Sequence, residues 1–501
     1  MHTLITPLNR ALQIAPQSTA FICGDERVTY AEFGQRCQRL AGVLAAKGAQ
    51  PGDRVAILAA NSHRYMEAYV GVPAAGFVIV PLNTRLAEPE LRYALEDAGV
   101  RILLSDRDPR NLAEVVDTVV LMPDEYETEI DAAQPMVLGV GIDENTLAGL
   151  FYTGGTTGAS KGVMLSHRNL IANSQNYMAL APPALHEVNL FTAPLFHAAG
   201  SNNVLGTIWS AQTGIIQPTF EPQEALDLIE RYGVTSTLVV PAMIAAMTEE
   251  QLARPRDVST LTFVAHGGSP IATEVVRRAA SAFANADFSH CYGATELSPI
   301  ATGLTGEQHL LDTERRRSCG RPIVGVEIRM TGRHGNEVPR GEVGELAVRG
   351  PSVMQGYWNK PDQTATALRD GWYYSGDLGY MDADGYIVLV DRAKDMIVTG
   401  GENVYGSEVE EALYSHPSVL EAAVFGIPDD KWGEAVHAVV VPRGELSAEI
   451  LIAFCRERIA SYKAPKSISF QTQALPKSGA GKILKRELRQ PYWASRESNI
   501  S

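Results

Sequence analysis

At 501 residues the chain is longer than one ordinary hydrophobic core organises, and length alone points to about three lobes. Its 45% hydrophobic and 20% charged residues are globular values, which exclude a disordered or collagen-like chain. The net charge of −15 argues against a nucleic-acid partner, which would want a basic face, and hinders approach to an anionic membrane surface. Any phosphate binding must therefore be local, made by loop amides, a metal and a few placed cations.

The N-terminus shows no basic segment followed by an unbroken apolar core, because Pro7, Asn9, Arg10 and Gln13 interrupt it. From Asp53 onward short apolar runs alternate with helical patterns. The pattern predicts strands at 54–58, 77–80 and 101–104, with helices at 64–75 and 88–98 between and after them. The longest apolar stretch, 69–81, contains two prolines and falls short of the roughly 20 residues that span a bilayer.

Next comes the densest local signal in the chain, Tyr152-Thr-Gly-Gly-Thr-Thr-Gly-Ala-Ser-Lys161-Gly162, between an apolar run at 147–151 and a helix opening at Ser166. Glycines let successive amides turn inward, and hydroxyls and a lysine then complete a nest for phosphate oxygens. The spacing is not the G-x-x-x-x-G-K-[ST] loop of nucleotide hydrolases, because Ala159-Ser160 separate the last loop glycine from Lys161. A plain flexible linker would rarely carry a lysine after such a run and then resume with Val163-Met164-Leu165. The loop is expected to handle a nucleoside triphosphate.

Beyond it the alternation resumes, with helices predicted at 170–180, 225–232 and 272–283 and strands at 190–193, 237–240 and 262–265. Such alternation implies parallel or mixed sheets covered on both faces, with ligands beyond the carboxyl ends of strands. After roughly Ser318 the character changes. Residues 344–349 and 385–390, with turns at Arg333-His334-Gly335-Asn336 and Asp382-Ala383-Asp384-Gly385, read as antiparallel β structure. Asp391-Arg392-Ala393-Lys394-Asp395 reads as a charged break. The last hundred or so residues, with a helix at 407–414 and strands at 422–425 and 436–441, suit a small α+β domain. Five dispersed cysteines without C-x-x-C pairs fit reduced thiols in a cytosolic protein.

Four further segments accompany the loop: Cys291-Tyr-Gly-Ala-Thr-Glu296, Tyr374-Ser-Gly-Asp-Leu-Gly379, Asp391-Arg-Ala-Lys-Asp395 through Gly400-Gly-Glu-Asn403, and Pro476-Lys-Ser-Gly-Ala-Gly-Lys482. In this order and separation they closely resemble the acyl-adenylate-forming superfamily of acyl- and aryl-CoA synthetases, firefly luciferase and peptide-synthetase adenylation domains. The resemblance covers nearly the whole chain. It implies the adenylate-forming enzyme fold: α/β, with a large multi-subdomain N-terminal domain of mixed sheets, residues 1–391, and a small mobile α+β domain, residues 392–501, hinged near Lys394.

The resemblance also implies an ATP- and Mg²⁺-dependent carboxylate–CoA ligase that makes an acyl-AMP and then a thioester. Such chemistry needs a site that gathers anions, because a carboxylate must meet a triphosphate. Thr153, Gly154, Gly155, Thr156, Thr157, Gly158 and Lys161 would hold phosphates, and Thr153 and Glu296 would face the metal. The lesser, structural alternative for Glu296 is a charge at a helix N-terminus. Tyr292, beside Gly293 and Thr295, would stack on adenine, with Gly268 and Ser269 lining the purine pocket. Asp377 and Arg392 would take the ribose diol, although an isolated aspartate in a Ser-Gly-Asp turn is ordinarily only a turn former.

Lys482 would reach the carboxylate and α-phosphate, Lys394 would be the hinge, and Gly400-Gly401 would admit the pantetheine arm of CoA. His197 would orient the acid in a pocket walled by the small residues Gly200, Ala265 and Gly268. Ala159-Ser160 and Ser478 depart from common family residues without removing a needed group. The acid is expected to be a hydroxycinnamate such as ferulate, with a medium- or long-chain fatty acid as the alternative. A carrier-loading enzyme for amino acids would want a carboxylate beside Phe196-His197-Ala198, which is not there. A nucleotide-binding regulatory protein would leave the Lys482 loop without a purpose. The expected partners are small molecules; a homodimer stays open.

Overall fold

Runs of Val, Ile and Leu bounded by Gly, Asp and Asn become strands, because branched side chains suit a pleated, buried surface. A computed structural model describes residues 2–153, 160–180, 187–269, 271–332, 335–392, 395–399, 402–429, 431–477 and 483–493. The chain divides into two units. The larger comprises Met1–Gly268, Glu274–Ile328 and Val348–Tyr373; the smaller comprises Ser269–Thr273, Arg329–Ala347 and Tyr374–Ser501.

Among the described residues the larger unit holds two sheets. One has seven strands, in the order Gly356–Tyr357, Lys161–Ser166, Leu147–Thr153, Val78–Pro81, Arg54–Leu58, Val100–Ser105 and Thr118–Leu121. The other has nine: Arg321–Pro322, Ile300–Leu304, Asp287–Gly293, Phe263–Gly267, Ser236–Val239, Val188–Phe191, Thr213–Ile216, Thr19–Cys23 and Glu26–Thr29. From Asp287–Gly293 through Thr19–Cys23 the pairings are parallel. Parallel strands need crossovers, and helices such as Pro222–Tyr232 and Pro241–Ala253 supply them.

The strands predicted at 54–58 and 344–349 and the helix at 88–98 occur at those residues, as Arg54–Leu58, Gly344–Arg349 and Glu88–Ala98. Most other predicted elements shift by one to a few residues; the helix at 64–75 is His63–Ala74. Periodicity was not informative before Asp53. There the helix Tyr30–Ala46 starts from a reciprocal cap, in which Glu32 N–H donates to Thr29 Oγ1 at 3.2 Å and Thr29 N–H to the Glu32 carboxylate at 2.8 Å.

Two helices tie the sheets of the larger unit together. His167–Leu180 begins at Ser166, whose Oγ accepts the Asn169 N–H at 3.2 Å while Asn169 Oδ1 accepts the Ser166 N–H at 2.8 Å. One turn on, buried Asn173 donates to Ile300 O at 2.7 Å and accepts from Ile300 N–H at 3.1 Å. It also accepts from Asn202 Nδ2, at 2.5 Å, on the almost wholly buried helix Ala198–Trp209. Buried amides demand such partners, so Asn173 fixes the strand Ile300–Leu304 against both helices.

A third sheet orders Glu327–Thr331, Gly344–Arg349, Trp372–Met381 and Leu368–Arg369, with Ile387–Arg392 paired to Trp372–Met381; the division between the units falls within its first three strands. Two expectations are corrected here. Asp391 and Arg392 are not a charged break but the end of the strand Ile387–Arg392, and Asp377 stands within the strand Trp372–Met381, not in a turn. Cross-strand hydrogen bonding overrides the local turn signal of Ser375-Gly376. The turn at Asp382–Gly385 is present, with Gly385 N–H on Asp382 O at 3.1 Å; Arg333 and His334 lie outside the described residues.

The smaller unit adds a sheet of Glu402–Val404, Ile397–Thr399, Gly433–Pro442, Val419–Asp429 and Ser467–Phe470, packed under the helices Gly406–Tyr414 and Ala448–Arg456. Its core is built from Val404, Val409, Leu413, Val424, Val436, Val440 and Leu451, all fully buried. Each such side chain contributes about 1.5–3 kcal/mol.

Burial holds His167 and His290 in the larger unit, and His437 in the smaller, neutral with pKa values near 4. Such a histidine takes up a proton only on unfolding, once the pH falls below its ordinary value of about 6.5. Their stabilising effect is complete above that pH and is lost as the pH falls toward 4. Calorimetry should find the unfolding midpoints flat above pH 6.5 and falling between pH 6.5 and 4. A flat profile through that window would contradict the assignment.

Candidate functional site

The glycine-rich loop closes a β-hairpin. Leu147–Thr153 pairs antiparallel with Lys161–Ser166, in a register that sets Thr153 opposite Lys161 and Tyr152 opposite Gly162. The strand at 161–166 escaped sequence analysis, because its apolar run is short and follows a loop that ordinarily leads into a helix. Thr153 therefore ends a strand that runs parallel to Val78–Pro81 on its other edge. Thr153 stands at the carboxyl end of that strand, where α/β architecture favours ligands. Gly154, Gly155, Thr156, Thr157 and Gly158 lie outside the described residues.

Lys161 leads to the next residues. Its Nζ stands 4.5 Å from the ring centroid of Tyr357, and the Tyr357 hydroxyl donates to Glu296 Oε1 at 2.8 Å. Glu296 sits in the short 3₁₀ turn Thr295–Leu297, directly after the strand Asp287–Gly293 of the other sheet. Lys161 and Glu296, 135 positions apart by their numbers, thus meet through a residue that sequence analysis missed, and Thr153 stands opposite Lys161 in the hairpin. The available signal was Gly356-Tyr357-Trp358, two aromatics after a glycine in an otherwise non-periodic stretch. Burial, and then the Glu296 carboxylate, push the Tyr357 pKa above the ordinary tyrosine range, so the hydroxyl remains a donor.

Tyr292, Gly293 and Thr295 occupy the same strand end, each half-buried. Gly293 is held so tightly that a Cβ there would lie 1.8 Å from Pro299 O. In the adjacent parallel strand, Gly267 pairs with Cys291, Gly268 follows with φ +83°, and Ser269 comes next. Ala265 is fully buried, in register with Leu238 and Ser289. His197 follows the carboxyl end of Val188–Phe191, two strands along, at the head of the helix Ala198–Trp209.

The segment before His197 is pinned. Tyr69 Oη donates to Leu195 O at 2.7 Å, and Leu195 N–H donates to Asn61 Oδ1 at 3.0 Å. The His197 ring lies 4.5 Å from that of Phe196. The Cβ position of Gly200 faces Leu195 O at 2.8 Å, so glycine there lets the helix close onto this segment.

In the smaller unit Asp377 stands directly opposite Arg392 in the antiparallel pair. Asp377 N–H donates to Ser375 Oγ at 3.1 Å, and Gly376 N–H to Glu345 Oε1 at 3.0 Å. Lys394, Gly400, Gly401 and Lys482 lie outside the described residues. Their neighbours are well anchored. Gly406 N–H donates to Asp391 Oδ2 at 2.6 Å, and Lys485 Nζ meets Glu410 Oε1 at 2.8 Å. Burial opposes the charge on Lys485, but Glu410 and Asp391 outweigh it and raise the lysine pKa.

These donors suit a hard divalent cation. A lone carboxylate, Glu296, oriented by a phenol, suits Mg²⁺, which completes its shell with water and phosphate oxygens. Among the described residues there is no group of three or more His, Cys, Asp or Glu side chains placed to cage a metal.

The profile of the AMP-binding enzyme family matches residues 8–358, and that of the AMP-binding enzyme C-terminal domain matches residues 408–482. The chain belongs to the AMP-binding enzyme family. It is 41% identical over 493 residues to a feruloyl-CoA synthase of an Amycolatopsis species, covering 97% of this chain and 98% of that one. It is 32% identical over 505 residues to a long-chain-fatty-acid–CoA ligase of Mycobacterium tuberculosis, covering 97% and 98%. Among solved structures, the o-succinylbenzoate CoA synthetase of Bacillus subtilis in complex with its acyl-adenylate intermediate superposes with a TM-score of 0.88 at 30% identity, over 100% and 99% of the two chains.

Gly293→Ala tests how tightly this site is built. The added methyl must displace backbone at the turn that carries Glu296, so stability should fall by about 1–3 kcal/mol and ATP-dependent turnover should fall with it. A variant with wild-type melting and turnover would show that the turn yields freely.

Proposed function

We propose that this chain, an AMP-forming acyl-CoA synthetase, activates a hydroxycinnamate such as ferulate. ATP, Mg²⁺ and CoA are the co-substrates of that reaction class. The observation carrying the choice of acid is the 41% identity to a feruloyl-CoA synthase along 97% of the chain. The 32% identity to a fatty acyl-CoA ligase sustains a medium- or long-chain acid as the second reading.

In the first step a carboxylate oxygen of the acid attacks the α-phosphorus of ATP, and pyrophosphate leaves with the P–O bond electrons. In the second the thiolate of CoA attacks the acyl carbon of the acyl-AMP, and AMP leaves. Thr153, the loop through Gly158 and Lys161 orient the β- and γ-phosphates. Glu296 and Thr153 would hold Mg²⁺, which when bound would neutralise phosphate charge. Tyr292, Gly293, Thr295, Gly268 and Ser269 take the adenine side, and Asp377 and Arg392 the ribose. His197 orients the acid beside Gly200, Ala265 and Gly268.

Residues 392–501 form a domain that moves about Lys394. In one pose Lys482 neutralises the α-phosphate and carboxylate; in the other Gly400 and Gly401 admit CoA. Five cysteines dispersed along the chain, without C-x-x-C pairs, fit the reducing cytoplasm as the enzyme's location. Among the described residues no helix is long and apolar enough to cross a membrane.

AMP release measured across ferulate, benzoate, octanoate, palmitate and malonate should rank ferulate first in kcat/KM. Octanoate or palmitate leading would transfer the assignment to the fatty acyl reading. Lys482→Ala should lose at least about 10²-fold in adenylation yet convert supplied acyl-AMP and CoA to thioester. Equal loss in both halves would remove Lys482 from the first step alone.

Lys394→Pro, which fixes φ near about −65°, should keep acid-dependent pyrophosphate release and lose much of thioester formation. Lys394→Ala should keep far more of both. Wild-type thioester formation by the proline variant would rule out rotation through this residue.

A further inference from the structure

The ring of Tyr357 has a cation on its face and an anion on its hydroxyl. Lys161 Nζ is 4.5 Å from the ring centroid, and Glu296 Oε1 is 2.8 Å from the phenolic oxygen. Both charged groups are half-buried and Tyr357 is 6% exposed, so water screens them only partly. In such surroundings a lysine and a glutamate within reach of each other would pair directly. That pairing would remove both from service: the lysine from phosphate, the carboxylate from a cation.

Tyr357 is held in place by its backbone, independently of its side chain. It pairs with Val163, two residues past Lys161, and its N–H donates to Thr364 Oγ1 at 2.9 Å. The next residue, Trp358, donates its N–H to Gly162 O at 2.8 Å. The glutamate is seated on the same segment, since Met354 N–H donates to Glu296 O at 2.8 Å. The strand Gly356–Tyr357 thus touches the hairpin on one side and the Glu296 turn on the other. An aromatic face attracts an ammonium without neutralising it, and a phenol orients a carboxylate without taking its charge.

We propose that Tyr357 is a positioning residue that keeps Lys161 and Glu296 from pairing with each other, leaving the ammonium free for nucleotide phosphate and the carboxylate free for a divalent cation. This rests on the reading that Lys161 serves the phosphates and Glu296 the metal. The two halves of the residue are separable: the hydroxyl acts on Glu296, and the ring acts on Lys161.

The test uses the full-length enzyme and four variants: Tyr357→Phe, Tyr357→Leu, Glu296→Gln and the double variant Tyr357→Leu with Glu296→Gln. Two quantities are read: ATP affinity by calorimetry in EDTA, and the Mg²⁺ concentration giving half-maximal pyrophosphate release. Tyr357→Phe should raise the Mg²⁺ requirement roughly tenfold, the scale of one hydrogen bond to a charged group, and leave metal-free ATP affinity near wild type. Tyr357→Leu should also weaken metal-free ATP binding roughly tenfold, as Lys161 turns to Glu296.

Adding Glu296→Gln to the leucine variant should restore most of that metal-free affinity. Because losing a carboxylate near a triphosphate itself favours metal-free binding, the recovery must exceed the gain that Glu296→Gln alone produces; an equal gain counts as no recovery. Wild-type metal-free affinity in Tyr357→Leu, or no recovery in the double variant, would overturn the spacer role. Should Tyr357→Leu fail to fold, an unchanged Mg²⁺ requirement in Tyr357→Phe would overturn the role of the hydroxyl. If Glu296→Gln alone leaves the Mg²⁺ requirement unchanged, the metal reading of Glu296 fails, whatever the binding arm shows.

Discussion

The backbone pairing of Leu147–Thr153 with Lys161–Ser166, from Leu147 opposite Ser166 to Thr153 opposite Lys161, holds the base of the glycine-rich loop to a single register. Because side chains alternate along a strand, slipping one strand by one residue would put Thr153 and Lys161 on opposite faces of the sheet. The return strand also carries the next pairing, with Gly356–Tyr357, which delivers Tyr357 to Glu296. It ends at Ser166, whose hydroxyl starts the helix that carries Asn173 to Ile300. One hairpin therefore sets both the position of Lys161 and the approach of the second sheet.

A net charge of −15 opposes the approach of a triphosphate at long range. The cluster answers this locally. Lys161 is held by a neutral ring rather than by one of the abundant carboxylates, so its positive charge stays available at short range, where solvent screening is weakest. Elsewhere in the chain arginines are consumed in ion pairs, as Arg36 with Glu67 and Glu127 and Arg256 with Asp227 and Glu250. Those pairs tie the scaffold together; Lys161 instead faces the Tyr357 ring.

In the smaller unit the anchoring is of the opposite kind. Lys485 is paired with Glu410, and the Asp391 carboxylate accepts the Gly406 N–H, so the residues flanking the hinge and the Lys482 loop are tied to the helix Gly406–Tyr414. Breaking a buried pair of this sort by removing one partner is costly, because the other charge is stranded.

The sequence by itself was enough for the alternation of strands and helices from Asp53 onward, the change to antiparallel structure late in the chain, and the motifs that resemble adenylate-forming enzymes. Those are local signals: periodicity, glycine clusters and residue order. It was silent on the strand Lys161–Ser166, since that run is short and its partner strand, not its own propensity, makes it a strand. It misplaced Asp377 and Asp391-Arg392 in a turn and a break, because their ladder partners are supplied by the fold and set the two opposite each other. Tyr357 was invisible for the same reason. Nothing about a tyrosine after a glycine reveals that its ring will meet a lysine 196 positions back in the numbering and a glutamate 61 back. Only the pairing of distant strands creates that contact, so chemistry carried by adjacent residues was readable from the chain, and chemistry carried by the spaces between residues was decided by the tertiary structure.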